Sequence, residues 1–267
     1  FSFNANAQSS GVSIASINPP HGWIIIGNTY FPTISIHNDT TFNVDSIVIS
    51  CFVNGTLIGT ESYLPIITPN NTGQLFFSTS FMAVTGTNEL CVTIDSVKGV
   101  ATYDTLCVTL IGLPTLIPTY TDDFESANIG WLAVSADTKT NWELGTPNFG
   151  ATNSANSGTS AWDINLTSGY DTSAHAELYS PFFDCLNVIN PRLSFWQNRN
   201  VEANNDGFRL ELSADGGMTW SVLGSVNDTN AINWYTRILN STGLPAWDSS
   251  SGGWQQSSYI NLSFING

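Results

Sequence analysis

From Val12 to Ile111 the chain is cut into short β-prone runs by turn residues at intervals too close for a helix of ordinary length. The runs are Val12 to Ile17, Tyr30 to Ile36, Ser46 to Val53, Gln74 to Ser78, Leu90 to Ile94 and Thr105 to Ile111. Between them stand Pro19-Pro20-His21-Gly22, Asn38-Asp39, Asn54-Gly55, Asn70-Asn71-Thr72-Gly73 and Lys98-Gly99. About seven strands in about a hundred residues predict an immunoglobulin-like sandwich. Asn54-Gly55 is the strongest hairpin signal, because both central residues of a type I′ turn need positive φ. A second hairpin centred near Gly99 places Cys91 opposite Cys107, which predicts either a cross-strand disulfide or two buried thiols.

The 267 residues exceed the roughly 250 at which a single core stops growing, so two domains are expected. Apolar residues make up 42 %, with 9 Trp, 8 Tyr and 15 Phe, enough to build real cores. Only 10 % of residues are charged, and 21 acids against 6 bases give a net charge of −15. Phosphate binding needs clustered Lys and Arg, so nucleic acid is a poor partner, and so is an anionic membrane surface. No apolar run approaches the ~18 residues of a spanning helix, so membrane insertion is not expected. The Asn-, Ser-, Thr- and Gly-rich polarity suits secreted β-modules and favours export, which in turn favours the disulfide. Cysteines at 51, 91, 107 and 185 have no zinc or CxxC spacing.

Residues 1–11, with Ala5-Asn6-Ala7 in small-x-small form, are either the end of a leader or the tail of a preceding domain. The first domain is expected over 12–112, a Pro-containing linker over 113–120 (LPTLIPTY), and a second domain over 121–267. Residues 1–117 hold 6 acids and 1 base and the remainder 15 acids and 5 bases, so the acidity belongs mainly to the second half. That half is also all-β, with strands expected at Ala176 to Tyr179, Leu193 to Gln197, Phe208 to Ser213, Ser221 to Leu223, Tyr235 to Leu239 and Tyr259 to Phe264. Its longer connections and eight tryptophans suit a larger sandwich of the jelly-roll kind.

The segments Ile36-His-Asn38, Ile47 to Gly55, Gly86 to Val92 and Asp104-Thr-Leu-Cys107 resemble the CARDB-like immunoglobulin modules of bacterial surface proteins. Asp123-Phe-Glu125, Gly130-Trp131, Asn141-Trp-Glu143, Gly158 to Trp162, Leu178 to Pro181, Leu193 to Trp196 and Asp206-Gly207 resemble, in order, the MAM-type jelly roll. Such domains usually close with a further strand carrying an acidic pair, which suggests a piece of a longer protein. The pair is similar to the modular adhesins of type IX secretion, which implies an extracellular, cell-surface location. It also implies O-glycosylation at Asp-Ser/Thr motifs, here at Thr40, Ser46, Ser96 and Thr105. The jelly-roll resemblance implies structural calcium, with Glu125 the best ligand and Asp123, Asp163 and Asn165 beside it.

Motifs for chemistry are sparse. Ser213-Ala-Asp215-Gly-Gly217-Met-Thr219-Trp220 fits the Asp-box pattern of sialidase propellers, but a single copy with four arginines in the chain favours a structural turn. His21, His37 and His175 lack a G-x-S-x-G elbow and any metal-ligand spacing. Glu125, Glu143, Glu177, Glu202 and Glu211 are of the type a glycosidase pairs, with nothing to say which converge. Trp247 and Trp254, in a Gly/Ser-rich stretch, are candidates for stacking on sugar. The expectation is a non-enzymatic adhesin or filament module whose partners are other surface modules or glycans, with a filament or homo-oligomer as its assembly. The alternatives are a carbohydrate-binding module and the non-catalytic appendage of a secreted peptidase or glycosidase.

Overall fold

A computed structural model describes residues 11–18, 22–126, 130–135, 139–217 and 219–265. Residues 1–10, on which the leader reading rests, and His21 lie outside them. The chain divides into two compact units, Phe1–Leu113 and Pro114–Gly267. Both are all-β, as the strand and turn pattern predicts. Apart from one 3-10 turn at Ser263–Ile265, every regular element among the described residues is a strand.

The first unit contains β1 (Val12–Asn18), β2 (Trp23–Ile25), β3 (Thr29–Tyr30), β4 (Thr33–Asn38), β5 (Ile47–Val53), β6 (Thr56–Tyr63), β7 (Asn71–Phe76), β8 (Phe81–Met82), β9 (Gly86–Val97) and β10 (Val100–Leu113). One sheet runs β1-β4-β7 and the other β2-β10-β9-β5-β6, while β3 and β8 pair separately. The larger sheet is antiparallel except where β2 runs parallel to β10. A single apolar cluster takes residues from both sheets, including Ile14, Ile34 and Ile36 from one and Ile47, Ile49, Leu90, Val92 and Ile94 from the other. The unit is therefore a sandwich. Strict alternation on β9 buries Asn88, Leu90, Val92 and Ile94 and turns Glu89 and Cys91 outward. Each fully buried Ile or Leu contributes roughly 1.5–3 kcal/mol. At the β1 bulge between Ile14 and Ser16, the Ile14 N–H donates to the Asp104 carboxylate of β10 at 2.7 Å, tying the two sheets together.

Both predicted hairpin turns have left-handed backbone at two successive residues. Asn54 and Gly55 have φ of 50° and 74°, and Lys98 and Gly99 have 52° and 73°. The second turn pairs Val97 with Val100, and a register shift between Ala101 and Asp104 of β10 then brings Cys91 opposite Cys107, where the two form a disulfide on the outer side of the sheet. Cys51 is buried in the core and Cys185, in the second unit, is half-buried; both are free thiols.

The second unit contains β11 (Thr115–Leu116), β12 (Leu132–Ser135), β13 (Trp142–Gly145), β14 (Ala161–Ile164), β15 (Ala176–Tyr179), β16 (Phe182–Phe183), β17 (Leu193–Gln197), β18 (Glu211–Leu212), β19 (Ser221–Val222), β20 (Ala231–Ile232), β21 (Arg237–Ile238), β22 (Pro245–Ala246) and β23 (Gln255–Tyr259). Its sheets are short pairs, with β17-β23-β20 the longest set. The core is aromatic: Trp234, Tyr235, Trp247 and Tyr259 pack with Leu223 and Leu262, and Phe195 and Phe208 lie against them.

Within the 113–120 segment β11 runs parallel to β16, and the Phe182 N–H donates to the Pro114 carbonyl. The last strand spans Gln255–Tyr259 rather than Tyr259 to Phe264. Beyond it Ile260 and Leu262 donate their N–H groups to the carbonyls of Asn230 and Pro191, which leads the chain out of the ladder.

Candidate functional site

The acidic candidates lie in the second unit, and local backbone geometry decides what each one does. Glu125 folds back on the turn before β14: its carboxylate accepts the Thr159 N–H (2.8 Å), the Thr159 hydroxyl (2.9 Å) and the Ser160 N–H (2.6 Å). These hydrogen bonds, led by Ser160, hold its pKa below the ordinary value. Gly158, at φ 60°, leaves the space this carboxylate fills. Asp123 accepts the Glu125 N–H at 3.1 Å. Asn165 is buried with φ 51° and closes a turn: it accepts the Asn141 N–H (3.0 Å) and donates to the carbonyls of Lys139 (2.9 Å) and Gly169 (3.1 Å).

Asp163 sits directly across from Glu143 in the β13-β14 ladder. Burial, assisted by the Glu143 charge, pushes its carboxyl up to about 6 against the pull of the Ile164 N–H and the Thr152 hydroxyl. Glu143 accepts the Leu166 N–H at 2.9 Å.

Of the four residues expected to hold calcium, Asp123, Glu125 and Asp163 do not form a trio with ligand atoms within 4.8 Å of one another. Among the described His, Cys, Asp and Glu residues, one trio has ligand atoms within 4.8 Å of one another: Glu89, Cys91 and Cys107. Both of its sulfurs are spent in the disulfide, which has no thiolate to offer a metal. Hard-cation binding needs six to eight converging oxygens, whereas these carboxylates and this amide are turned onto backbone N–H and carbonyl groups.

Trp247 is likewise corrected. It is 0 % exposed, with Phe195, Phe208, Trp234 and Tyr235 rings at 5.6, 4.9, 4.9 and 4.5 Å, and its indole N–H donates to the Asn233 carbonyl at 3.0 Å. A tryptophan at the centre of the core does not meet a sugar. Trp254 is half-buried and donates to the Ser154 carbonyl at 3.0 Å.

The Ser213 to Trp220 segment is a hydrogen-bonded turn. Asp215 accepts the Ser213 hydroxyl (2.7 Å), the Thr219 N–H (2.9 Å) and the Thr219 hydroxyl (2.6 Å), and the Trp220 indole donates to the Gly217 carbonyl (3.2 Å). His37 lies between the Thr72 hydroxyl (2.9 Å) and Asp39 (3.0 Å) on the surface of the first unit. Of the glycosylation candidates, Thr105 is exposed and bonded to the Thr93 hydroxyl, while Thr40, Ser46 and Ser96 are half-buried.

Two arrangements escape a reading of the sequence. The first is a buried polar network: Asp248, 1 % exposed, accepts the Thr236 hydroxyl (2.5 Å), Arg237 Nε (2.9 Å) and the Asn204 N–H (3.0 Å). Burial alone would raise its pKa, but these bonds and the Arg237 charge bring it down to about 2. Arg199 donates to the Asp248 carbonyl and to Gln197 Oε1, both at 2.8 Å, and burial lowers its pKa. Nothing in the spacing of residues 197, 199, 236, 237 and 248 announces this meeting.

The second lies along β15, where His175 just before the strand, exposed Glu177 and half-buried Tyr179 recur every second residue. His175 Nε2 is 3.2 Å from Glu177 Oε1, and the Tyr179 hydroxyl donates to Glu177 Oε2. The Tyr179 ring meets Trp220 edge-on at 5.7 Å. A cavity of about 120 Å³ opens here, lined by Val134, Ser135, His175 and Glu177. The period-2 spacing was the available signal.

No family model matches the chain. Over 114 residues it is 32 % identical to bacillopeptidase F of Bacillus subtilis (strain 168), an alignment covering 43 % of this chain and 8 % of that protein. The chain therefore matches a small part of that relative's length. Among solved structures it is similar to the CARDB domain of a Pyrococcus furiosus protein, in a crystal structure in complex with di-metal ions. That likeness has 17 % identity and a TM-score of 0.28, and covers 38 % of this chain and 90 % of that one. The solution NMR structure of the same domain gives 19 % identity, the same TM-score and 92 % coverage of that chain.

Proposed function

We propose that this chain is a non-catalytic accessory portion of a larger extracellular protein, which displays two β-sandwich units at a cell surface as an adhesin or filament module. The second unit is read as a MAM-like jelly roll on the ordered series of motifs from Asp123 to Gly207. The observation that carries the reading is the use made of the reactive side chains. Glu125, Asp163, Asp215 and Asp248 are each engaged in local turns or in a buried network, which is what rigid display requires and what acid–base catalysis does not. Among the described residues no helix is long and apolar enough to cross a membrane. Calcium is left out of the reading, because its expected ligands already serve the backbone. Partners are other surface modules or glycans.

A second reading is favoured by the relative: a protein named as a peptidase of which 8 % is matched supports an appendage of a secreted peptidase. Sequencing the complete reading frame separates the two. A repeated array of such units supports the adhesin, and a protease domain in the same frame supports the appendage. Incubating the purified chain with fluorogenic peptides and glycosides is expected to give no turnover. Turnover abolished by Glu143→Gln or His175→Ala would overturn both.

A further inference from the structure

We infer that the β15 face of the second unit binds a neutral saccharide, with Trp220 as the stacking platform and Glu177, His175 and Tyr179 as the polar row beside it. The inference gives the display module a ligand and rests on that reading. The chemistry of the row fits the class of ligand. A sugar ring has an apolar face of C–H groups, which an indole attracts through the negative face of its π-system, and a rim of hydroxyls that donate and accept hydrogen bonds. Trp220 is 43 % exposed. It is held in place by its N–H bond to the Gly217 carbonyl, by the Tyr179 ring at 5.7 Å, and by the turn that Asp215 closes. A platform fixed before binding spares the ligand the entropy of ordering it.

From His175 to Tyr179 the strand advances roughly 13 Å, the reach of a short oligosaccharide. Along it stand an imidazole, a carboxylate and a phenol, which together donate and accept. The cavity of about 120 Å³ at Val134, Ser135, His175 and Glu177 is far smaller than an enclosing ligand pocket. It suits one hydroxymethyl or hydroxyl arm while the ring remains on the open face. Charge narrows the class further. Glu177 lies in the row and Glu211 acts on Tyr179, with Arg209 already paired to Glu211 at 2.7 Å. A uronate or sialic acid would meet like charge, whereas a neutral hexose or pentose chain would not.

The test is calorimetric titration of the 267-residue chain with neutral hexasaccharides (cello-, xylo-, manno- and laminari-oligomers) and with oligogalacturonate as the anionic probe. Saturable binding of at least one neutral oligomer is expected. It should weaken roughly tenfold in Trp220→Ala and several-fold in Glu177→Gln. Trp196, 49 % exposed on β17, is the control, and Trp196→Ala should leave the affinity unchanged. If Trp220→Ala fails to fold, Glu177→Gln and His175→Ala, both at exposed positions, carry the test. Absence of binding at about 10 mM sugar, preference for the anionic oligomer, or affinity untouched by these changes would overturn the assignment. The display reading would survive those results, since turnover bears on it and titration does not.

Discussion

In the first unit β9 and β10 pair over eleven register positions, whereas the longest ladder described in the second unit, β17 with β23, covers five. The first unit buries isoleucine, leucine and valine at alternate positions of long strands; the second buries a knot of tryptophan and tyrosine among two- to five-residue strands. Where the ladder is long, backbone hydrogen bonds and alternation satisfy most of the strand, and carboxylates serve the bulge and the loop, as Asp104 does for Ile14 and Glu61 for Ser78 and Thr79. Where it is short, the orphaned N–H and carbonyl groups of the loops need other partners, and carboxylates and amides supply them: Glu125 for 159–160, Asn165 for 139–141, Asp248 for 204. Some of the acids of the second half are thus employed in its loops.

Trp247→Ala is the sharpest way to break the comparison. It removes the centre of the aromatic knot and is expected to cost about 3–5 kcal/mol, unfolding the second unit while amide protection in β9 and β10 of the first is retained. Hydrogen exchange with calorimetry reads both at once, and loss of protection in both units together would show that they are not separately held. Replacing both Cys91 and Cys107 with serine tests the opposite side. The bridge closes a sequence separation of 16 residues, so its loss should cost the first unit up to about 3 kcal/mol and leave the melting of the second unchanged.

The second unit should also carry its own acid sensitivity, from two carboxyls of opposite sign. Asp248 has a folded pKa of about 2, below its ordinary 3.8. Its contribution is present above the unfolded value and is lost as pH falls from about 4 toward 2, an effect of about 2 kcal/mol. Asp163 has a folded pKa of about 6, above its ordinary 3.8, so its ionisation opposes folding as pH rises from about 4 to 6. Asp163→Asn is therefore expected to stabilise the second unit at pH 7 by about 1 kcal/mol, after discounting for solvent screening, and to flatten its stability between pH 4 and 6. Urea titrations across that range check both, and a destabilised Asp163→Asn chain at pH 7 would contradict the assignment. The smallest expected effect is that of calcium. Millimolar calcium or its chelation should move neither melting transition by more than about 1 °C, and a rise of several degrees would restore a metal role for Glu125 or Asp163.

Legibility in the sequence follows the same division. Asn54-Gly55 and Lys98-Gly99 could be read because a turn of two left-handed residues is a local requirement, and counting outward from the second brings Cys91 within one residue of Cys107, the last step being made by the register shift between Ala101 and Asp104. Trp247 misled because its Gly/Ser-rich surroundings describe the loop and say nothing of where the side chain points. Packing against Phe195, Phe208, Trp234 and Tyr235 is a matter of contacts more than ten residues away. The metal candidates show a related limit: residue type matches calcium, while the structure adds that the Asn165 amide and the Glu125 carboxylate also bond nearby backbone, with φ of 51° at Asn165 and of 60° at Gly158.

The amino-acid sequence by itself determined that this chain is all-β, where its hairpins turn and which half is acidic, since alternation, positive φ and charge are properties of neighbouring residues. Only the tertiary structure decided which acids are plugs, which tryptophan is core and which faces solvent, and that Asp248 and Arg199 share a buried network. Those outcomes depend on segments that meet across loops, and no local pattern encodes the distance between them.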